Sequence, residues 1–500
     1  MNMLSSGFWP AVLTVYTPLA GIFLLALIGR AQRAGWVNVG CAGVSFAASI
    51  WLAWVYTVHG DIVAAGLRID ALNISLVVLN ALVGLSTAVF SRTYMLDMLS
   101  TRLSGARGVH GLRLYNSLFQ AFLFTMLLAL TTANLGVLWV AVEGCTLSTV
   151  LLVSLYRTPE ALEAAWKYFI LCGVGIALAL FGTVLVYFAA QHVLPNPAQG
   201  LNWSVLYAHR RQFEPTVMII AFVFVLVGYG TKVGLVPMHQ WLPDAHSEGP
   251  TPVSALLSGL LLNVALYAVL RIKLLVDGAL AGTPSAHLAG HLLIGFGLVS
   301  LLVGALFLHR SRDIKRLFSY SSISHMGMIT FGFGLGGPLA TFAALLYMIV
   351  HSLTKSAVFI TVGHVTHIAG TQTMDHIRGL IRTQPKVGWS LLIAVVALAG
   401  FPPFGLFTSE FLLLGATMHR APLLAIVLLP GMAITFAGLF RHVQRMVYGP
   451  VPAEQTPVKA NLWPVYIQMA LVLWLGLTIP TLLSHWLGQA TALVAGVPLP

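Results

Sequence analysis

Charge is what this 500-residue chain has least of. Lys and Arg number 26 and Asp and Glu 14, together 8% of the residues, where a soluble domain carries roughly 25%. Cysteine is scarce as well. Cys41, Cys145 and Cys172 each lie in or beside an apolar run, with no C-x-x-C or other cluster spacing, which argues against an iron–sulfur or zinc site in the chain. There is no G-x-G-x-x-G following a strand and no phosphate-binding G-x-x-x-x-G-K-[ST], so nucleotide binding is not expected. His364, His367 and His376 come nearest to a ligand cluster, but their spacings straddle a loop with no fixed face, and no metal is expected. Neither a redox centre nor a nucleophilic catalytic group stands out. No cofactor is therefore expected, and if the chain serves an enzyme, the electron chemistry sits on partner subunits. The net charge of +12 is spread over short loops rather than gathered in a long basic run. That distribution reads as membrane topology, not nucleic-acid binding.

What is present is apolar. Hydrophobic residues make up 58% of the chain and the mean hydropathy is +0.89, which defines a polytopic, all-α membrane protein; a membrane β-barrel would show short alternating segments instead. Apolar blocks fall at about 9–29, 36–58, 72–91, 115–133, 135–156, 166–190, 216–236, 252–275, 288–308, 318–336, 338–368, 389–414, 422–440 and 463–485, fourteen candidate spans. The first lacks a basic leader and a small-residue cleavage site, so it reads as a retained span. With the N-terminus outside, the inner loops hold 18 basic residues: Arg30, Arg33, Arg92, Arg102, Arg107, Arg113, Arg157, Lys167, Arg310, Arg312, Lys315, Arg316, Arg378, Arg382, Lys386, Arg441, Arg445 and Lys459. The outer side holds 6: Arg68, Arg210, Arg211, Arg271, Lys273 and Arg420. That bias predicts fourteen spans with both termini outside the cytoplasm.

Against this background, Glu143, Lys232, Lys355 and Glu410 fall inside apolar stretches. A charge at the bilayer centre costs about 2.5–3.5 kcal/mol on insertion scales, so such residues are read first as parts of an ion or proton path. His351 and Lys355 are spaced i, i+4 and share a helix face; a histidine beside a lysine suits a proton relay, and a hydrogen-bonded core histidine is the plainer alternative. His325 is a further relay candidate. Lys167 begins a span near the interface, where snorkelling competes with relay work. Two spans are interrupted alike. Span 7 runs into Lys232-Val-Gly-Leu-Val-Pro237, and span 12 contains Gly400-Phe-Pro402-Pro403-Phe-Gly405 ahead of Glu410. Broken helices at matching places in two halves point to inverted repeats around a central ion site, here spans 4–8 and 9–13. Two unrelated proline kinks remain the alternative.

The stretch from Gly228-Tyr-Gly-Thr-Lys232 through Pro237-Met-His239-Gln-Trp241-Leu-Pro243-Asp244-Ala-His246-Ser-Glu248-Gly-Pro250-Thr-Pro252 resembles the signature of the antiporter-like membrane subunits of respiratory complex I, Mrp antiporters and group 4 hydrogenases. Asp313-Ile-Lys315-Arg316-Leu-Phe-Ser-Tyr320, His351-Ser-Leu-Thr-Lys355 and Gly400-Phe-Pro-Pro-Phe resemble it too. Ala164-Ala-Trp-Lys167-Tyr and Leu180-Phe-Gly-Thr-Val-Leu-Val-Tyr187 look most like the branch of the hydrogenase-4 F component. The resemblance implies fourteen helices with two inverted five-helix repeats and broken helices 7 and 12. The segments would be residues 1–114 (three helices), 115–275 and 288–445 (the repeats) and 446–500 (a last helix).

It further implies a proton path through Glu143, Lys232, Lys355, Glu410, His351, Lys167 and His325. His246 and Glu248, in the loop after span 7, would have a gating role, with Pro237 and Pro402 at the breaks. Moving Glu143 toward or away from Lys232 would switch the lysine between holding and releasing its proton; a static ion pair between two helices is the alternative. Asn263 departs from the complex I M-type pattern, which has a lysine there, and a path through it needs water. The implied function is a proton-translocating subunit of a redox-driven, hydrogenase-4-type or complex-I-like assembly in a bacterial cytoplasmic membrane. It would sit among other membrane and peripheral subunits and carry H+, with Na+ not excluded. The alternatives are the membrane partner of an inorganic-carbon (CO2/bicarbonate) accumulating complex and a subunit of an Mrp-type Na+/H+ antiporter.

Overall fold

The computed structural model describes residues 3–28, 31–102, 106–451 and 460–496. Arg30 and Lys459 lie outside the described residues, as do the side chains of Arg102 and Arg107. The described chain is helical almost throughout, because a backbone in lipid must satisfy its own hydrogen bonds. In chain order the helices are α1 (Met3–Leu27), α2 (Ala31–His59), α3 (Ile74–Arg102), α4 (Ala106–Thr131), α5 (Leu135–Val153), α6 (Pro159–Gln191), α7 (Trp203–His209), α8 (Pro215–Val233), α9 (Trp241–Glu248) and α10 (Thr251–Leu256). After a π-helical stretch, Leu257–Leu261, come α11 (Leu262–Ala279), α12 (Leu288–Leu308), α13 (Ile314–Leu335), α14 (Gly337–Ala369), α15 (Leu380–Thr383), α16 (Pro385–Leu398), α17 (Gly405–Arg420), α18 (Ala425–Tyr448), α19 (Trp463–Leu477) and α20 (Thr481–Ala495). Between α2 and α3 a two-stranded hairpin, β1 (Ile62–Ala64) and β2 (Leu67–Ile69), closes over Ala65 and Gly66, both at positive φ; that turn conformation suits the twist of a tight hairpin. The apolar blocks carried no sign of it.

Among the described residues, eleven helices are long and apolar enough to cross a bilayer, or twelve if α19 and α20, bent by 73° at their break, count as one span. The expected fourteen differ from this for local reasons. The tenth block is α13, whose hydroxyls, His325, Lys315 and Arg316 dilute its apolar character. The twelfth is cut at Ala399–Phe404 into α16 and α17, of 14 and 16 residues. Breaks fall where glycine and proline deny the helix its hydrogen bonds. α8 stops at Val233 with Gly234 at φ +82°, and Gly400 holds φ +71° after α16. α4 and α5 are joined by a tight turn at residues 132–134, with the Asn134 side chain accepting from Gly136 N and Val137 N at the start of α5.

Two pairs of helices lie unusually close. Gly290, Gly297 and Gly304 recur every two turns on α12, and a Cβ at Gly297 would meet backbone of α13 at 2.6 Å. Gly175 of α6 and Gly228 of α8 are in similar contact. Small residues let helices approach and replace side-chain packing by backbone contact. At the centre, α14 and the Thr251–Ala279 helix are buried along their whole apolar windows. α14 is surrounded by α13, α16, α17, α19, α20, α3 and α10, so its polar side chains face protein rather than lipid.

Candidate functional site

Along one face of α14, Tyr347, His351 and Lys355 recur every four residues, all fully buried. Opposite, α13 presents Ser321 and His325, also four apart. The Lys355 ammonium donates to Phe318 O at 2.8 Å and to Ser321 Oγ. The His325 and His351 rings lie 5.5 Å apart. His325 Nδ1 is 2.8 Å from Tyr347 Oη, and the Tyr347 hydroxyl donates to Glu410 Oε1 at 2.6 Å. A phenol has one proton. With that proton directed at Glu410, the oxygen can accept from His325 Nδ1 in the tautomer that leaves Nε2 unprotonated. His325 Nδ1 and Glu410 Oε1 are themselves 4.0 Å apart, too far for a direct hydrogen bond.

Glu410 lies on α17 but folds back onto the break. A Cβ on Gly400 would fall 2.0 Å from Glu410 Oε2, so the carboxylate occupies space that only glycine leaves open. His325, Gly400, Phe407, Glu410 and Thr435 line a cavity of about 310 Å³. Beyond the other end of α14, a more polar cavity of about 450 Å³ is lined by Glu160, Glu248, Lys315, Thr366, His367 and Gln372. Tyr347 and Thr366 are about 28 Å apart along the helix at 1.5 Å per residue.

Between these ends sits His246. It belongs to α9 and is fully buried, stacked on Phe359 at 4.9 Å; the expectation that it lies in a loop is corrected, because α9 continues the broken span after a seven-residue interruption. Glu248 ends the same helix and lines the polar cavity. Among the described residues, both nitrogens of His246, both of His351 and Nε2 of His325 have no hydrogen-bond partner. Buried polar atoms are normally paired, so five free imidazole nitrogens along one route mark groups able to exchange protons with a neighbour or with water.

Lys232 is arranged differently. It is fully buried and donates to Tyr168 Oη at 3.0 Å, with Tyr168 also bonded to Thr149 Oγ1 at 2.6 Å. Its Nζ lies 4.6 Å from the Tyr168 ring centre and 5.8 Å from that of Trp241, and the two rings stack. Cation–π attraction and hydrogen bonds to Tyr168 and Cys172 stand in for a carboxylate. Glu143 is half-buried and accepts from Thr146 Oγ1; among the described residues it forms no ion pair with Lys232. Lys167 is half-exposed and bonds Glu163 at 2.7 Å and Asp244 of α9 at 3.3 Å. Pro237 and Pro402 sit in the two breaks, each in a cis X–Pro or Pro–Pro bond. Asn263 donates to Met348 O and Ser352 Oγ on α14, next to the π-helical stretch.

Sequence reasoning missed Tyr168 and Tyr347, although carrying the i, i+4 rule one turn back from His351 reaches Tyr347. It also counted Arg271, at the end of the eighth block, with the charges of the outer side. Arg271 is buried in α11 and pairs with buried Asp70 at 2.8 Å, tying the hairpin region to the bundle; Arg68 pairs with the same carboxylate at 2.9 Å. Burial alone would raise the Asp70 carboxyl, but the two guanidiniums outweigh it and hold its pKa below the ordinary value. Lys273, counted with the outer side as well, is buried in α11 beside Asp277.

A many-helix bundle with helices broken beside buried lysine and glutamate defines an antiporter-like membrane subunit. Residues 132–435 match the family described as NADH:quinone oxidoreductase/Mrp antiporter, transmembrane, and the chain belongs to that family. It is 44% identical over 97% of its length, and 99% of the relative's, to a hydrogenase-4 component F homolog of Methylacidiphilum infernorum. Its fold is similar to a chain of the membrane-bound sulfane sulfur reductase, an archaeal respiratory membrane complex, with TM-score 0.84 at 22% identity over 97% of each chain. It is also similar to a chain of respiratory complex I from Thermus thermophilus, with TM-score 0.80 at 22% identity over 97% of this chain and 99% of that one.

Proposed function

We propose that this protein is a proton-translocating subunit of a redox-driven membrane complex of the hydrogenase-4 type. The observation that carries the proposal is the buried series His246, Lys355, His351, His325, Tyr347 and Glu410, running between two cavities through an otherwise apolar bundle. Keeping so many ionisable groups in a membrane core is costly unless they act. A proton taken from the polar cavity past Glu248 and His246 reaches Lys355, passes by way of His351 to Nε2 of His325, and leaves through Tyr347 to Glu410 and its cavity. Each ring accepts at one nitrogen as it releases at the other, and water bridges the longer gaps.

Lys232 with Tyr168 and Glu143 forms the driving end. The cation–π seat holds the lysine when Glu143 is distant, and approach of the carboxylate favours the protonated form. Because a potential of 100 mV supplies about 2.3 kcal/mol per charge, comparable to such a rearrangement, small movements suffice. Pro237 and Pro402 place the breaks that allow them, His246 and Glu248 gate the inlet, and Lys167 tethers α6 to α9.

In this reading the chain crosses the bacterial cytoplasmic membrane fourteen times, the broken and bent helix pairs each counting once, with both termini outside. Spans 4–8 (115–275) and 9–13 (288–445) form two inverted repeats, after a three-helix segment (1–114) and before a last span (446–500). Electron transfer on partner subunits supplies the energy.

The test uses the complex purified through this chain and rebuilt into liposomes, with electron transfer and acidification followed together. Lys232→Ala and Lys355→Met should each abolish acidification while electron transfer continues. Undiminished proton movement in either variant would refute the path, and sodium uptake coupled to proton release would replace the pump with an exchanger.

A further inference from the structure

Away from the track, at the end of α12, the chain builds a strongly cationic hollow. Arg310 and Arg312 from the α12–α13 turn, Arg378 from the segment after α14, and Arg441 and Arg445 from the last turns of α18 line a cavity of about 350 Å³. Asp375 is the one acidic residue among the lining groups and pairs with Arg378 at 3.8 Å. Among the described residues, Arg310, Arg312, Arg441 and Arg445 form no ion pair. The hollow is held in shape by backbone: Met374 N donates to Arg312 O at 2.9 Å, Asp313 and Thr373 form a β-bridge, and His309 Nε2 contacts Ile434 O of α18 at 2.9 Å. The buried Nε2 of His442, in the same lining, has no hydrogen-bond partner among the described residues.

Five guanidiniums around one cavity repel one another, and a chain with so few charges has little reason to gather them there for packing. Guanidinium forks match phosphate oxygens in pairs, with charge-assisted hydrogen bonds. Two sources can supply a phosphate, a lipid headgroup or free phosphate. The surroundings favour lipid. The hollow lies at the ends of membrane helices on the side richest in Lys and Arg, where anionic headgroups collect. Leu306 and Phe307, just before the lining His309 and Arg310 in the chain, and Tyr448, three residues after the lining Arg445, are exposed apolar side chains, as contact with acyl chains would require. We propose that this hollow is a binding site for the phosphate of an anionic phospholipid, which there joins the α12–α13 turn, the segment after α14 and α18.

The full-length chain in detergent would be titrated with cardiolipin, phosphatidylcholine or inorganic phosphate and followed by native mass spectrometry and thermal unfolding. Cardiolipin should be retained and raise the unfolding temperature, and the double variant R441Q/R445Q should bind it about thirtyfold more weakly. R310Q/R312Q serves in its place if that variant does not fold, and R441K/R445K should bind better than the glutamine pair. Equal cardiolipin retention by wild-type and glutamine variants would overturn the site. Equal protection by phosphatidylcholine would show that charge is not read. Equal protection by inorganic phosphate alone would overturn the lipid assignment.

Discussion

Removing one oxygen tests the proton route most sharply. Tyr347→Phe keeps the ring, the burial and the α14 backbone but deletes the hydroxyl that joins His325 to Glu410. The remaining Nδ1···Oε1 separation of 4.0 Å does not support a hydrogen bond. The variant loses one hydrogen bond to an ionisable carboxyl, worth about 1.5–3 kcal/mol, and one neutral bond worth about 1 kcal/mol. Both bonds are present in the resting structure, so their loss lowers stability by about 2.5–4 kcal/mol. The proton must then cross without the bridge, and an added barrier of about 2–3 kcal/mol for the unbridged gap slows transfer by about 30- to 150-fold. The assay is dye-reported acidification of liposomes holding the assembled complex, with electron transfer measured on the same sample. Thr361→Val is the control: it is buried on α14, but its hydroxyl bonds only Ala357 O of its own helix. Expected is strongly reduced acidification in Tyr347→Phe, normal acidification in the control and electron transfer in both. Wild-type acidification by Tyr347→Phe would show that protons do not pass through this hydroxyl.

Two further outcomes follow from the geometry. Gly400→Ala puts a methyl group 2.0 Å from Glu410 Oε2 and strains a left-handed backbone; it should displace the carboxylate and cut acidification at least as much as Glu410→Gln, and comparing the two variants' proton movement checks this. Asp70→Asn leaves Arg271 buried without its counter-charge and should cost about 3–5 kcal/mol, seen as a lower unfolding temperature in detergent at pH 7. Because the folded Asp70 carboxyl is held below 3.8, its contribution is complete above that value and is lost as pH falls through the folded pKa. The stability gap between wild type and Asp70→Asn should therefore close below about pH 4, and a gap that persists unchanged in strong acid would contradict the assignment.

The long apolar blocks by themselves determined the membrane-embedded helical class, since lipid leaves a spanning segment almost no other backbone structure. The glycine and proline runs located both helix breaks for the same reason, and scarcity of charge made Lys232, Lys355, Glu143 and Glu410 conspicuous. What the linear pattern could not convey was partnership. Lys232 meets Tyr168 and Trp241, and Glu410 meets Tyr347 and Gly400, because α6, α14 and α16 are packed there by contacts far apart in the chain. Tyrosine is common in membrane helices and signals nothing until a neighbour turns its hydroxyl into a bridge. Arg271 looked like an ordinary charge at the outer end of a span because its counter-charge, Asp70, is 201 residues away. Local composition is enough to tell which segments enter lipid. Which buried charges meet one another depends on hydrogen bonds of a few ångströms between helices, and only the tertiary structure decides those.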